Sequence, residues 1–285
     1  MNELRLATRA SRLAIAQAKH VADILTEAHP GTEVTLVEVS TTGDRDRTTS
    51  VTTLTEVGAF VRSVQNTVIE GKADVAVHSC KDLPVEGPSE LTAFYPTRER
   101  PWDVLCGHDL ESLPLRARVG TGSPRRAAQL RRIRPDVEVA DIRGNVDTRL
   151  AKMHSGEYDA VILAEAGLRR LGREDEVDHV FDLEEMVPAP AQAALAVEVL
   201  AGSRVAELVT AVDDPRTRAA VETERGLLAL TRAGCRSALG ALATSQAGTI
   251  DVSGFVEDED GTRFGHAHGT QPNEAARALQ EALGL

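Results

Sequence analysis

Residues 71–84 read GKADVAVHSCKDLP, an apolar run that stops abruptly at a lysine, an aspartate and a proline. The run at 75–77 is short and apolar on successive positions, which predicts a strand covered on both faces. In open α/β sheets, ligands bind beyond the carboxyl ends of the strands. We therefore predict that this strand presents Lys81 and Asp82 at a functional edge. A surface turn with a solvated ion pair fits the same residues equally well.

Two internal echoes extend this prediction to the whole fold. The stretch GKADVAVHS at 71–79 resembles GEYDAVILA at 156–164. In the same way, LATRASRLAIAQA at 6–18 resembles VGTGSPRRAAQL at 119–130, and each reads as a strand, a small turn with a serine, and a helix whose start favours an anion. The sequence therefore predicts two similarly built α/β lobes that face a shared cleft for an anionic ligand. The matched positions of the first echo are Gly71 with Gly156 and Asp74 with Asp159.

Composition limits the class of protein. The length of 285 residues suggests two domains, or three if one is small. Hydrophobic residues make up 42% and charged residues 27%, which is ordinary for a soluble globular protein. Seven arginines lie between 116 and 134, but aromatic residues are only 3% and the net charge is −12, so no nucleic-acid partner is predicted. Nucleotide use is not predicted either, because no Walker loop or GxGxxG motif is present.

The cysteine spacing argues against a disulfide framework or a metal site, and the hydropathy pattern argues against a membrane span. Cys80, Cys106 and Cys235 are an odd number without CxxC spacing or histidine partners, so neither a disulfide framework nor a metal site is predicted. Cys235 follows a glycine after a predicted helix, which leaves its thiol either accessible or, as is more usual for a lone cysteine, inert. No segment approaches the roughly 18 unbroken apolar residues of a membrane span. We expect a cytoplasmic protein with no membrane partner.

Stretches marked by proline divide the chain. PTRERPW at 96–102 and MVPAPAQ at 186–192 read as crossings between domains, and the connection is double if the apolar run after the second crossing returns to the first lobe. The threonine-rich stretch 40–56 reads as a functional lid or a disordered connection, followed by a helix from about 59 to 70. The predicted fold is α/β, with two lobes, a double crossover and a small α+β C-terminal domain. The predicted domains are a first α/β lobe of residues 1–95 and 193–212, a second α/β lobe of residues 98–188, and a C-terminal α+β domain of residues 215–285.

Positively charged side chains occur in the predicted turns. Arginine binds a carboxylate through two N–H groups at once and lysine through its ammonium group, so such a set suits a ligand with several carboxylates. Asp82 is the one acid among them at a strand end, and an ionised carboxylate there stabilises a cationic intermediate better than it donates a proton. His78 lies inside an apolar run and reads as a packed core histidine. Arg131, Arg132 and Arg134 read as side chains that solvate a helix end. The basic residues of the turns are Arg9, Lys81, Arg125, Arg126, Arg143 and Arg149, and Arg169 and Arg170 lie at the end of an apolar run.

Seven strings of the sequence together resemble one known family. They occur in the family's order across nearly the whole chain, and the C-terminal domain is the weakest part of the match. By this resemblance the chain is identified as a member of the porphobilinogen deaminases, also called hydroxymethylbilane synthases. The strings are LATRASRLAIAQA (6–18), VHSCKDLP (77–84), VGTGSPRRAAQL (119–130), IRGNVDTRL (142–150), ILAEAGLRRLG (162–172), VPAPAQAALAVE (187–198) and AGC (233–235).

The resemblance implies a fold and a reaction. Two lobes similar to periplasmic binding proteins are accompanied by a third domain, whose cysteine, here Cys235, holds a dipyrromethane cofactor through a thioether bond. A monomeric transferase of tetrapyrrole (porphyrin and haem) biosynthesis is implied. Such an enzyme adds four porphobilinogen units head to tail to this primer, loses ammonia at each addition, and releases linear hydroxymethylbilane by hydrolysis.

The resemblance also implies roles for single residues. Asp82 matches the catalytic group that stabilises positive charge on a pyrrole nitrogen and assists proton movements. No metal is implied. The positions that match cofactor and substrate contacts are Arg9, Ser11, Phe60, Lys81, Thr121, Ser123, Arg125, Arg126, Arg143, Arg149, Arg170 and Gln192.

Three stretches depart from the family pattern. EVGAF at 56–60 is shorter than the usual glycine-rich segment and lacks its lysine, although Phe60 matches its aromatic residue. AQA at 191–193 stands where GQG is usual, which adds two methyl groups to backbone that approaches the ligand. RSA at 236–238 replaces a small or amide residue followed by proline. These departures keep an alternative open, a non-catalytic two-lobed binding protein for polycarboxylates that has lost its lid function.

Overall fold

The computed structural model describes residues 3–39, 53–231 and 238–285. Most of the predicted lid and the whole of the stretch that contains Cys235 lie outside these residues. In chain order, the elements are β1 (Glu3–Arg9), α1 (Arg12–Ala28), β2 (Glu33–Val39), α2 (Thr53–Ile69), β3 (Val75–Ser79), β4 (Leu91–Phe94), β5 (Asp103–Cys106), β6 (Arg118–Gly120), α3 (Pro124–Ile133), β7 (Glu138–Ala140), α4 (Val146–His154), β8 (Ala160–Ala164), α5 (Glu165–Arg170), β9 (His179–Val180), β10 (Leu195–Leu200), α6 (Arg204–Val209), α7 (Pro215–Thr231), β11 (Ala238–Gln246), β12 (Thr249–Asp258), β13 (Gly261–Gly269) and α8 (Pro272–Ala282).

Contacts between residues divide the chain into two compact units. Unit 1 consists of Met1–Arg98 and Ala194–Arg218, and unit 2 consists of Glu99–Ala193 and Ala219–Leu285. In the described part of the chain, the strands form one five-stranded sheet in unit 1, and a five-stranded and a three-stranded sheet in unit 2. The predicted α/β class, with two sheet-containing lobes and a small C-terminal sheet domain, is confirmed. The three domain boundaries predicted above stay a prediction.

The sheet of unit 1 has the strand order β2-β1-β3-β10-β4. β1 pairs in parallel with β2 and β3, whereas β10 runs antiparallel to β3 and β4. The predicted return of the chain to the first lobe is therefore confirmed. Aliphatic side chains of α1, α6 and the sheet form the core, among them Leu6, Leu25, Val197 and Val209. Full burial of each such side chain stabilises the fold by roughly 1.5–3 kcal/mol.

The five-stranded sheet of unit 2 repeats this arrangement in the order β7-β6-β8-β5-β9. β6 is parallel to β7 and β8, and β5 is antiparallel to β8 and β9, as β10 is to its neighbours in unit 1. The predicted correspondence of β1 with β6 and of β3 with β8 is thus confirmed by the strand pairing, because β1 is parallel to β3 as β6 is to β8.

An aspartate clamp precedes β3 and β8 in the same way. The Asp74 carboxylate accepts from Arg5 N at 2.9 Å, and Asp74 N donates to Arg5 O at 2.8 Å. The Asp159 carboxylate accepts from Arg118 N at 2.6 Å, and Asp159 N donates to Arg118 O at 2.9 Å. Each clamp fixes the start of one strand against its parallel neighbour, so the matched aspartates of the sequence have matched structural roles.

Side-chain caps begin the helices that follow β1, β6 and β7. Each cap accepts a hydrogen bond from the backbone N–H three residues further on, at 3.3 Å for Ser11, 3.4 Å for Ser123 and 2.9 Å for Asn145. Such a bond satisfies one of the N–H groups that lack a partner within the helix. The caps place three helix starts directly after the carboxyl ends of parallel strands.

The helix that precedes β3 begins earlier than predicted. α2 starts at Thr53, whereas the sequence predicted a polar connection to residue 56 and a helix from about 59. Residues 53–56 read TLTE and show no apolar periodicity, so the sequence pattern did not mark the first turn of this helix.

The three-stranded sheet pairs β11, β12 and β13 in antiparallel order, and α8 packs on it. Leu279 and Leu283 of this last helical segment are fully buried. A Cβ at Gly254 would lie only 2.9 Å from Leu283 Cδ1, so the absence of a side chain here lets the leucines of the helix pack closely on the sheet.

Candidate functional site

The carboxyl edge of the unit 1 sheet carries the predicted catalytic pair. β3 ends directly before a single 3₁₀ turn formed by Cys80–Asp82. The turn is fixed to the sheet because Cys80 N donates to Ala194 O at 2.9 Å. Asp82 is exposed and Lys81 is half-buried. The predicted strand is confirmed, and Asp82 lies where solvent reaches its carboxylate.

Arg9 lies at the same edge, because it ends β1, the parallel neighbour of β3. Its guanidinium carbon lies 4.2 Å from the centroid of the Phe60 ring, which is within the range of a cation–π interaction. Within the described residues, Arg9 Nε is buried and makes no hydrogen bond. A buried donor without a partner is unfavourable, and a carboxylate ligand would satisfy it. The structure therefore brings two predicted ligand-binding residues, Arg9 and Phe60, together.

His78 is buried in β3, as predicted for a core histidine. Its Nε2 lies 3.2 Å from Oε2 of Glu198 in β10, and that oxygen accepts from Gln65 Nε2 in α2 at 2.9 Å. These three buried side chains connect α2 to two neighbouring strands of the sheet. All three side chains are buried, so they belong to the interior of unit 1 and not to the exposed edge.

The unit 2 sheet has a corresponding edge, where the parallel strands β6, β7 and β8 end. Thr121 follows β6, and its N–H donates to Ala140 O, the last residue of β7, at 2.9 Å. The hydroxyl oxygen of Thr121 accepts from Ser123 N at 3.2 Å, which shapes the turn before α3. A Cβ at Gly122 would lie 3.0 Å from an Asp141 oxygen, so the turn passes close to the next one.

Arg143 and Arg149 belong to the turn and helix after β7. Arg143 is exposed, and its Nε lies 3.1 Å from Asp141 Oδ2. Arg149 Nε donates to Gly144 O at 2.8 Å. Burial, assisted by repulsion from Arg126 and opposed by attraction to Asp141, lowers the pKa of Arg149 to about 10. The guanidinium stays charged at neutral pH, but it lies in a positive field that would favour a nearby anion.

Arg125 and Arg126 meet a buried carboxylate that the sequence did not single out. Asp103, the first residue of β5, is fully buried. Arg125 Nη1 lies 2.7 Å from Asp103 Oδ2 and donates to Val187 O at 2.7 Å. Arg126 Nε donates to Asp103 Oδ1 at 2.8 Å, and its Nη1 donates to Ile162 O at 2.8 Å. One acid therefore holds both predicted ligand-binding arginines inside unit 2.

Asp103, Arg125 and Arg126, called the Asp103 trio below, hold two cations and one anion, a net charge of +1. Burial alone would raise the pKa of Asp103, but attraction to Arg125 and Arg126 and hydrogen bonds from Arg125 and Gln192 hold it well below its ordinary value. Burial lowers the pKa of Arg125, and attraction to Asp103 opposes that change. The carboxylate therefore stays ionised, and the surplus guanidinium charge is one that a ligand carboxylate would balance.

Asp103→Asn is expected to destabilise the protein by about 3–5 kcal/mol, because removal of one partner leaves two guanidinium groups buried without their counter-ion. Urea unfolding measures this as a lower midpoint at unchanged m-value. The matched control is Asp141→Asn, which removes the exposed partner of Arg143 and should change the unfolding free energy by less than about 0.5 kcal/mol.

The pH dependence of stability gives a second measure of the same carboxylate. Because the pKa of Asp103 is lower in the folded than in the unfolded chain, its contribution is complete above about pH 5 and is lost as the pH falls through and below the unfolded value near 4. Between pH 5 and pH 3, the unfolding free energy of the Asp103→Asn variant should therefore fall less steeply than that of the unchanged protein. Equal slopes would contradict this role for Asp103.

Residues 187–193, called the proline segment below, hold Gln192 next to the trio. Gln192 is 1% exposed, and its Nε2 donates to Asp103 Oδ1 at 3.1 Å. Its neighbours Ala191 and Ala193 have φ values of +59° and +68°, in the left-handed region. That region costs an L-residue roughly 1–2 kcal/mol, whereas glycine enters it freely. The AQA departure noted in the sequence therefore places alanine at two positions where the backbone favours glycine.

Arg170 also contacts the proline segment. Its side chain is largely buried, with Nε 2.8 Å from Glu99 Oε1, and Nη2 donates to Ala193 O at 2.6 Å. Arg169 is more exposed and lies 3.6 Å from Glu165. Arg170 therefore holds the last residue of the segment, directly after Gln192.

Two arginines of the basic patch do more than solvate a helix end, which corrects the sequence prediction. Arg134 donates to backbone oxygens of the loop 110–114, at 2.8 Å for the nearest. Arg132 lies 4.8 Å from the centroid of the Phe264 ring in β13. Backbone oxygens of an irregular loop need donors, and an arginine at a helix end can supply several at once. Arg131, by contrast, is exposed as predicted.

The chain is similar to known proteins in sequence and in fold. The profile of the family described as "Porphobilinogen deaminase, dipyromethane cofactor binding domain" matches residues 4–207. A porphobilinogen deaminase of Acidothermus cellulolyticus is 46% identical over 92% of this chain and 81% of its own length, and one of Xanthomonas axonopodis pv. citri is 43% identical over 100% and 96%. Among solved structures, the periplasmic VFT2 domain of Bordetella pertussis BvgS matches with a TM-score of 0.42 at 15% identity, over 74% of this chain and 86% of that chain.

The chain belongs to the porphobilinogen deaminase family. The residues of this family member fit the cofactor named in the family description, because a dipyrromethane carries carboxylate side chains. The buried trio has a net positive charge, Arg149 lies in a positive field, and Arg9 Nε has no hydrogen-bond partner among the described residues. Guanidinium groups of this kind are the donors that carboxylates prefer.

The described cysteines of this porphobilinogen deaminase family member, Cys80 and Cys106, are both buried, and neither forms a disulfide. Burial and nearby carboxylates raise the pKa of Cys106 to about 12, so its thiol is not a nucleophile at neutral pH. Cys235 lies outside the described residues. Across the described ranges, no three histidine, cysteine or acidic side chains are arranged to hold a metal ion, and none of the helices has the length and apolarity to cross a membrane.

Proposed function

We propose that this chain is a hydroxymethylbilane synthase, a transferase that joins four porphobilinogen units head to tail on a dipyrromethane primer and releases ammonia at each addition. We infer the reaction from membership of the porphobilinogen deaminase family. The surplus guanidinium charge at the carboxyl edge of the unit 2 sheet carries the proposal, because substrate and primer are both polycarboxylates.

Asp82 is the proposed catalytic group. Loss of ammonia leaves a positive charge that spreads onto a pyrrole nitrogen, and a fixed carboxylate beside that nitrogen lowers the energy of the cation. The 3₁₀ turn supports this role, because it holds Asp82 exposed on a backbone tied to the neighbouring strand. Lys81, one residue earlier, is the proposed partner of a ligand carboxylate.

The other proposed residues bind and orient. Arg125 and Arg126 act mainly through the net charge of their buried trio, since Asp103 already occupies part of each fork. Cys235 is the proposed attachment point of the primer, which, when bound, would supply the free pyrrole position for the first unit, and each later unit would add to the free position of the unit before it. The remaining proposed contacts with primer and substrate are Arg9, Ser11, Phe60, Thr121, Ser123, Arg143, Arg149, Arg170 and Gln192.

A product assay tests the proposal against the non-catalytic binding protein that the AQA stretch and the short lid keep open. The purified protein is incubated with excess porphobilinogen, and released ammonia and linear tetrapyrrole are both measured. The transferase is expected to release four ammonia molecules for each tetrapyrrole, over many turnovers. A binding protein would instead take up porphobilinogen in a fixed ratio and release no ammonia, and that result would overturn the proposal.

A further inference from the structure

Glu224 of α7 is a buried acid to which the proposed reaction assigns no role. Its side chain is fully buried, and both of its oxygens accept hydrogen bonds from backbone N–H groups. Oε2 accepts from Ala191 N at 2.5 Å, and Oε1 accepts from Ala243 N at 2.8 Å. Ala191 belongs to the proline segment and Ala243 to β11. A single carboxylate therefore fastens the proline segment to a strand of the C-terminal sheet.

Other contacts hold the two ends of the proline segment, and the one at its far end is the bond from Arg170 Nη2 to Ala193 O described above. Gln129 of α3 accepts from Val187 N at 2.8 Å, and its amide donates to Val187 O at 3.1 Å. Pro188 O accepts from Ala241 N in β11 at 3.0 Å. Glu224 differs from these contacts because it binds the N–H of Ala191, one of the two left-handed residues of the segment.

The left-handed backbone of Ala191 needs a compensating interaction. A non-glycine residue enters this region only where the surrounding structure fixes it. A hydrogen bond from the Ala191 N–H to a buried carboxylate is charge-assisted, which makes it one of the stronger hydrogen bonds available to a backbone amide. Without it, Ala191 would relax toward a negative φ and the following peptide would turn.

The residue after Ala191 is Gln192, whose side chain contacts the Asp103 trio. Its amide donates to Asp103 Oδ1, the oxygen that also accepts from Arg126 Nε. A turned peptide at Ala191 would carry this amide away from Asp103. A line of direct contacts therefore leads from Glu224 to a carboxylate-binding cluster of the proposed site.

We propose that Glu224 is a positioning residue, which holds Ala191 in its left-handed conformation so that Gln192 keeps the Asp103 trio in place. The consequence for binding rests on the proposed function, because that function makes the trio part of a polycarboxylate site. The effect of Glu224 on the conformation of Ala191 does not depend on the proposed function. The effect on the backbone and the effect on binding can therefore be measured separately.

The test is a double-mutant cycle of Glu224→Gln and Ala191→Gly. A glutamine amide accepts through only one of its two terminal atoms, so one of the two backbone N–H groups loses its acceptor. Glycine adopts a positive φ without the carboxylate, so Ala191→Gly should restore what Glu224→Gln loses. The matched controls are Glu222→Gln, an exposed acid of the same helix, and Ala247→Gly, whose alanine has φ of +51° in an exposed turn.

Two measurements are made on the protein as purified. Hydrogen exchange of peptides that cover the proline segment should accelerate at least tenfold in Glu224→Gln and return close to the original rate in the double variant. With porphobilinogen as substrate, kcat/KM should fall by about 10–100-fold in Glu224→Gln and recover most of that loss in the double variant. Glu222→Gln should change neither quantity, and Ala247→Gly should not rescue Glu224→Gln.

Two results would overturn the proposal and leave Glu224 as a packing residue. One is an unchanged hydrogen-exchange rate of the proline segment in Glu224→Gln, and the other is a failure of Ala191→Gly to restore that rate. If Glu224→Gln yields no folded protein, Glu224→Asp takes its place under the same criteria, because its shorter side chain cannot reach both amides. If the unchanged protein releases no ammonia while the exchange rates still show rescue, the proposed function fails and the positioning role of Glu224 stands.

Discussion

Asp82→Asn is expected to lower kcat by about 10²–10³-fold while KM for porphobilinogen changes only a few-fold. Asparagine has nearly the same shape as aspartate, and the backbone of the 3₁₀ turn is fixed by the Cys80 N–H to Ala194 O bond. The substitution therefore removes a charge and little else. Because the cation exists only after ammonia begins to leave, the lost interaction belongs to the transition state.

Steady-state kinetics separates this role from substrate binding. The matched control is Glu86→Gln, which removes an exposed acid four residues along the chain and should leave both constants unchanged. Near-normal turnover in Asp82→Asn would remove the catalytic role from this residue. A raised KM with unchanged kcat would instead assign Asp82 to binding alone.

Cys235→Ser is expected to abolish both the covalent primer and turnover. The unchanged protein, made with ample porphobilinogen, should exceed its calculated mass by two condensed pyrrole units, and the serine variant should have its calculated mass. The physical reason is that a cysteine reacts through its thiolate, a strong nucleophile, whereas a serine hydroxyl stays protonated at neutral pH and is a weak one. Intact-mass spectrometry measures this difference directly.

Cys106→Ala serves as the control for the loss of a thiol. Cys106 is buried in β5 and its pKa is raised to about 12, so its replacement should leave the added mass in place. An unmodified Cys235 in the unchanged protein, or an added mass that survives Cys235→Ser, would contradict the proposed attachment.

The internal echo allowed the core of the fold to be predicted from sequence. Asp74 and Asp159 are matched in the sequence because each must accept from a backbone N–H of the neighbouring strand and also return a hydrogen bond to it. Such a requirement is local to one strand start, and so it leaves a short pattern that can be read. The serine caps before α1 and α3 are predictable for the same reason.

Asp103 and Glu224 were not predicted, because their partners are distant in sequence. Asp103 is paired with side chains more than twenty positions away, and Glu224 with backbone groups that belong to two different elements. The available signal was weak: Asp103 is a single acid at the border of a buried strand, and Glu224 is one of two acids of α7, of which only Glu224 is buried. Burial of an acid requires a partner, but periodicity does not say which one.

The strand order of unit 1 has a consequence for how the protein is made. β10 lies between β3 and β4, although β4 ends at Phe94 and β10 begins at Leu195. At roughly 5–20 residues per second, a ribosome leaves the first sheet with two unpaired inner edges for on the order of 5–20 s. Unpaired edges attract other chains, whereas the five-stranded sheet of unit 2 has all its strands between residues 103 and 180. Of the two five-stranded sheets, the one that begins first in the chain is thus completed second, and its inner edges are the ones that stay exposed during synthesis.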